Sequence, residues 1–218
     1  MLLQQLQEVL AGIYDVPPGP DVSEFLTADR ALLPQATLGA CADEQLLVAE
    51  DADGEGMSVA LYLDPLLLER LNGTDPLEAL HSGNIADYWT ALEGVSHFAY
   101  LTWNATHHRP VSIHELELQA EVDKYVCSVA LLRAQNPEYF PAELHRLLFE
   151  RAQVDPALRG EQRSLYRRAN QGAARFCQRL AQRLRERSAS ARAAVSCDLR
   201  RFYRLTNASK LHLIAQLN

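Results

Sequence analysis

The sequence predicts a mainly α protein: a helical array or bundle with one N-terminal β-hairpin, about residues 45–63, packed on its side. Two observations carry this prediction. From about Ile85 almost to the end of the chain, apolar residues recur at helical spacing, and capping residues and prolines punctuate them. Strand character is confined to Gln45–Glu50 (QLLVAE) and Met57–Leu63 (MSVALYL), with the turn chemistry of Asp51-Ala-Asp-Gly-Glu-Gly56 between them. That acidic turn lacks the helical flanks and the bidentate Glu of a calcium-binding EF-hand, so it reads as a solvated turn.

The elements follow in order. Residues 2–14 place Leu3, Leu6, Leu10 and Ile13 near one helical face, and Val16-Pro-Pro-Gly-Pro20 ends that helix. Asp64-Pro65 and Asp75-Pro76 are two helix starts of one kind, a capping residue followed by proline at the first helical position. Asn72-Gly73 closes the first of them. Pro110 and Ser112-Ile-His-Glu115 open a long helix to about Gln135, as a capping box in which Ser and Glu satisfy each other's amides. Asn136-Pro137 breaks it, Pro141 starts the next helix, and Gln153–Gly160 is a joint. An Arg-rich helix runs from about Glu161 to Arg187, and two short helices, broken near Thr206-Asn207, finish the chain. Ser188–Ser196 (SASARAAVS) is the linker candidate, which gives a helical domain over 1–187 and a C-terminal appendage over 197–218.

Composition narrows the class. With 218 residues and 48% hydrophobic content the chain can bury a core of its own. No stretch approaches the ~18 apolar residues of a membrane span, and the N-terminus lacks the basic region of a signal peptide, so the expectation is a cytoplasmic protein without a membrane partner. The four cysteines stand far apart with no C-x-x-C pair, which reads as reduced thiols. Charge is divided in two blocks. Residues 1–150 hold 6 Lys+Arg against 24 Asp+Glu, a balance of −18; residues 151–218 hold 15 against 4, a balance of +11. Such blocks either neutralise each other in the fold or one of them meets a charged partner.

Tyr88–Trp103 (YWTALEGVSHFAYLTW) is apolar all round, which marks a buried helix. Its single charge is Glu93, and His97 lies one turn later. At about 100° per residue, Trp89, Glu93, Ser96, His97 and Tyr100 fall within one sector of roughly 80°. A buried carboxylate costs several kcal/mol unless it is paired or protonated, so something must face Glu93 and His97. The next helix offers two apolar faces, as if sandwiched between layers. Two polar seams separate them: His114, Glu117, Glu121, Lys124 and Ser128 in one, Glu115, Gln119 and Asp123 in the other. Glu117 and Glu121 repel one another at i,i+4 unless a cation sits between them. Glu93, His97, Glu117 and Glu121 are therefore the candidate ligands of a divalent metal (zinc, iron or manganese). The order resembles that of zinc metallopeptidases, where an active-site helix supplies two His and a later helix a Glu. Read onto Glu93-Gly94-Val95-Ser96-His97, their H-E-x-x-H matches at His97 alone; the first ligand becomes Glu and the catalytic Glu becomes Gly94, so classical peptidase chemistry is lost. The paired E-x-x-H motifs of di-iron bundles are missing. The structural alternative is a core network in which Glu93 and His97 bond each other, or Glu93 accepts an arginine.

Arginines recur at multiples of four along the Glu161–Arg187 helix, a row that winds by about 40° per step and so travels around it. Arg200, Arg201 and Arg204 form a second cluster around Phe202 and Tyr203. The leading expectation is a non-catalytic interaction or accessory subunit that docks an acidic protein through Arg175, Arg179, Arg183, Arg200, Arg201 and Arg204. A metal-dependent hydrolase, or a degenerate relative of one, is the competing class. Nucleic-acid binding through the same arginines, with Tyr166, Phe202 and Tyr203 for stacking, is the third.

Overall fold

Apolar spacing and caps decide where the helices form. In α1 (Leu2–Tyr14), Leu3, Leu6, Leu10 and Tyr14 share the buried face, and Asp15 ends the helix in a left-handed conformation at φ 54°. The computed structural model describes residues 1–34, 43–50, 56–138, 140–150, 160–186 and 188–217. Three strands form its small sheet: β1 (Leu26–Thr27), β2 (Glu44–Glu50) and β3 (Met57–Leu63), in the order β1-β3-β2. β2 and β3 pair antiparallel, from Glu44 opposite Leu63 to Glu50 opposite Met57. Two-residue β1 lies parallel to β3, a pairing with no sequence signal because Leu26 and Thr27 are too short a run to show a period. The acidic turn at 51–55 lies outside the described residues, as do Cys41, Arg159 and Arg187.

The helices continue with α2 (Pro65–Gly73), α3 (Ile85–Thr106), α4 (Ile113–Gln135), α5 (Leu144–Phe149), α6 (Gly160–Leu184), α7 (Ala189–Arg204) and α8 (Asn207–Ala215). Asp64, Ser112, Ser188 and Thr206 each accept a backbone N–H at an N-terminus, which fixes four of these starts. Three details differ from expectation. Asp75-Pro76 opens only a turn, since the Gln135 amide donates to the carbonyls of Pro76 and Leu77 that a helix would need. The box at Ser112 is one-sided, because the Glu115 carboxylate turns inward to accept the Tyr100 hydroxyl at 2.7 Å. Residues 189–196, read as a linker, form the first half of α7: the Ser188 hydroxyl accepts the Ala191 N–H at 3.0 Å, and Ala191 and Val195 are buried.

α4 is the central helix, flanked by α3 and α6, as its two apolar faces require. β2 and β3 cover α3 on its other side, and α7 packs on α1 and α6. One apolar cluster runs through all of these, from Leu3 and Tyr14 through Leu92, Phe98, Leu118 and Val122 to Phe176, Phe202 and Ile214. Cys127 and Cys177 lie buried within it as free thiols. Among the described residues no helix is long and apolar enough to cross a membrane.

Candidate metal centre

Both polar seams of α4 are closed by a lysine, and these two lysines are the only ones in a chain with 19 arginines. In the first seam, Lys124 Nζ lies 2.6 Å from Glu93 Oε2 on α3 and 2.8 Å from Glu121 Oε1 one turn away. In the second, Lys210 of α8 is completely buried. It donates to the Tyr100 hydroxyl at 2.9 Å and to Gln119 Oε1 at 2.8 Å, and its ammonium lies over the Tyr100 and Phe202 rings. Gln119 in turn donates to Asp123 at 2.9 Å; Ser96 donates to the same carboxylate at 2.5 Å, and Tyr14 completes its partners. These bonds make the second seam a scaffold joining α1, α3, α4 and α8.

The first seam is different. His97, on the buried side of α3, presents Nδ1 to Glu44 Oε1 at 3.5 Å and Nε2 to Glu117 Oε1 at 3.7 Å. The residue is 6% exposed, yet among the described residues neither its Nε2 nor Glu44 Oε1 has a hydrogen-bond partner. Glu93, His97 and Glu117 bring one donor atom each within 4.8 Å of one another. Donors bonded at about 2.0–2.2 Å to a common cation stand about 3.0–3.6 Å apart in cis or tetrahedral positions, so the three must draw together by about 1 Å at their widest to make a coordination set. The structure thus brings together three of the four expected ligands. Glu121 stays with Lys124, one helical turn along.

Sequence reasoning missed Glu44. It sits at the first position of β2, opposite Leu63, where an apolar strand face meets α3. A glutamate at the edge of a QLLVAE strand looks solvent-facing; only the register puts it on His97. The space for it comes from Gly94, where a Cβ would lie 2.9 Å from Glu44 Cγ and 2.7 Å from Leu61 Cδ1. Gly94, the residue that breaks the peptidase-like motif, is what lets the sheet approach α3 closely.

The electrostatics are those of a crowded carboxylate cage. Burial pushes Glu117 up to about 7 and also raises Glu44. Burial opposes the charge of His97 too, but Glu44 and Glu117 outweigh it and lift the imidazole to about 9. For Glu93, burial is overcome by Lys124 and His97, which hold its carboxyl below the usual range. Tyr166 of α6 faces Glu117 and closes the seam on that side; burial and the carboxylate raise its phenol. Glu93 is the most open of the three donors, with 24% of its side chain exposed.

The arginines expected to dock a partner divide between internal and free roles. Arg204 donates to the carbonyls of Tyr14 and Asp15 at 2.9 and 2.7 Å, closing the end of α1. Arg183 pairs with Asp198, and Arg200 lies 3.2 Å from Asp15 Oδ2. Arg179 stands 4.0 Å from Asp198, while Arg175 and Arg201 are exposed. Between α6, α7 and α8 lies a groove of about 570 Å³. Arg179, Arg201 and His212 mark its rim, with Phe176, Leu205 and Leu213 in its wall. No protein-family model matches the chain, and no curated protein or solved structure matches it either.

Proposed function

We propose that this protein binds a divalent transition metal through Glu93, His97 Nε2 and Glu117, with Glu44 holding the opposite ring nitrogen. The observation that carries the reading is the buried His97 Nε2, which among the described residues has no hydrogen-bond partner and faces Glu117, with Glu93 offering a third donor within 4.8 Å. A ligating histidine ordinarily gives its other nitrogen to a carboxylate, which fixes tautomer and ring orientation; Glu44 stands where that partner belongs. Two carboxylates and one imidazole would suit manganese, iron(II) or zinc, and Glu93 is the donor most open to solvent. A metal held this way would supply an acidified water and a Lewis acid, the chemistry of metal-assisted hydrolysis. The residues themselves orient and neutralise: Glu44 sets the ring, Lys124 holds Glu93 in place, and Tyr166 faces Glu117.

The test is elemental mass spectrometry on untagged protein purified without chelator. Near-stoichiometric manganese, iron or zinc that disappears in His97→Ala supports the reading. A folded, metal-free protein that takes up none of these ions on dialysis sinks it.

A second reading, docking of an acidic protein, is favoured by the groove at Arg179 and Arg201. Since Arg183, Arg200 and Arg204 have partners inside the fold, Arg175, Arg179 and Arg201 are the arginines that remain for it. Fluorescence anisotropy with a labelled polyglutamate peptide and with duplex DNA tests it. Peptide binding lost in the triple Glu variant of these three supports acidic-protein docking; binding of DNA alone moves the surface to nucleic acid.

A further inference from the structure

We propose that Lys124 is a built-in cation occupying the second position of a two-cation carboxylate cage, so that the centre takes one divalent metal instead of two. The proposal rests on the metal reading above and adds what limits its stoichiometry. Four glutamates, Glu44, Glu93, Glu117 and Glu121, converge from β2, α3 and α4 on one seam. Glu93 stands at its centre: it belongs to the donor set with His97 and Glu117, and it also binds Lys124 through Oε2 at 2.6 Å. A carboxylate between two cations is what bridges a pair of metal ions 3.5–4 Å apart in dinuclear sites. Here the far cation is an ammonium, with Glu121 at 2.8 Å as its second oxygen partner.

The choice of residue fits this role. The chain carries 19 arginines and two lysines, and both lysines are buried: Lys124 is 8% exposed and Lys210 fully enclosed. A guanidinium is a flat fork that spreads its charge over five donors, whereas an ammonium is a compact point charge, nearer to a bare cation in shape. At these two positions the chain departs from its own arginine habit. Charge balance agrees. One divalent ion, a neutral ligating His97 and Lys124 leave the four carboxylates one negative charge in excess. Without Lys124, a second divalent ion neutralises the cage.

The other anion-neutralising groups near the seam do not compete for this role. Asn170 reaches Glu121 Oε2 only at 3.5 Å and carries no charge, and Tyr166 on the Glu117 side is a neutral phenol. Among the described residues, removing the ammonium therefore takes away the cation that Glu93 and Glu121 share, and leaves the space it filled.

The experiment loads purified wild type, Lys124→Met and the double variant Lys124→Met/Glu121→Gln with manganese(II) by equilibrium dialysis. Bound metal is counted, and electron paramagnetic resonance is recorded. The expected result is one ion per wild-type chain with an isolated six-line spectrum. Lys124→Met should hold two ions whose spectrum is exchange-coupled, and the double variant should return to one. Circular dichroism checks that each is folded, and Lys124→Gln replaces Lys124→Met if the thioether does not fold. One ion with an unchanged spectrum in both wild type and Lys124→Met overturns the proposal while leaving the metal site intact. No manganese in any of the three overturns the metal reading itself.

Discussion

His97 of α3 and Glu44 of β2 face each other across the helix–sheet boundary, Nδ1 to Oε1 at 3.5 Å, in a pocket from which a Gly94 side chain is absent. The contact ties the orientation of the imidazole to the register of the sheet. Removing an outer carboxylate from a metal-ligating histidine typically costs about 10–100-fold in affinity. Glu44→Ala should therefore weaken manganese or zinc binding by about that factor without changing the number of ions bound. A competition titration against a chromophoric chelator measures this. An unchanged affinity would show that the sheet plays no part in setting the ring.

Gly94→Ala tests the same boundary by packing. In mid-helix, alanine is favoured over glycine by about 1 kcal/mol. At this site, however, the new Cβ would stand 2.7 Å from Leu61 Cδ1 and 2.9 Å from Glu44 Cγ. Leu61 is fully buried, so any shift of its side chain moves it against other core residues. Overpacking of this kind costs about 1–3 kcal/mol. The expected net is a loss of up to about 2 kcal/mol in urea denaturation, accompanied by weaker metal binding as Glu44 is pushed off His97. A stabilised variant with intact binding would mean that β2 moves away freely.

The helical class was legible because apolar period and caps are local signals, and Asp64, Ser112, Ser188 and Thr206 each cap as their residue types suggest. The convergence of Glu93, His97 and Glu117 was legible because two polar groups one turn apart on an otherwise apolar helix demand a partner, and α4 supplied one. Glu44 could not be found this way, since its role depends on which strand face meets α3 and no period over seven residues containing QLLVA reveals it. Lys210 was equally hidden. A lone lysine in a polar-looking short helix reads as surface, and only the meeting of α8 with α4 encloses it beside Gln119. The Glu115, Gln119 and Asp123 seam meets this lysine through Gln119 and the Tyr100 hydroxyl, while Glu117 and Glu121 of the other seam face His97 and Lys124.

Arg204 and Arg175 look alike in sequence and should behave differently. Arg204 binds two terminal carbonyls of α1, tying the C-terminal helices to the N-terminal one beside the stacked rings of Tyr14 and Tyr203. Hydrogen bonds from a charged donor are worth about 1.5–3 kcal/mol when shielded, and Arg204 is exposed along part of its length. Arg204→Ala should lose about 1–2 kcal/mol in thermal or urea unfolding. Arg175→Ala, on an exposed helix face, should stay within about 0.5 kcal/mol of wild type. Equal losses in the two variants would mean that the contact with α1 contributes nothing to stability.

Lys210 gives the fold a pH dependence whose sign is opposite to that of an ordinary surface lysine. Burial dominates, pushing its amine down to about 7 despite Glu115 and Asp123, against about 10.4 in an unfolded chain. Between those values the unfolded chain holds a proton that the folded one has released, so this group makes stability rise with pH from about 7 to about 10. Asp123 works in a separate window. Burial lifts it to about 6, so the folded state holds the extra proton and stability falls as pH rises from about 4 to 6. Other groups titrate above neutrality, His97 among them, so the measurement must be a difference. Lys210→Met removes the rising contribution alone. Relative to wild type, its unfolding free energy should fall by a few kcal/mol between pH 7 and pH 10, at about 1.36 kcal/mol per unit of displaced pKa. Parallel curves for the two proteins over that range would show that Lys210 remains charged in the core, with Glu115 and Asp123 sufficient to hold its proton.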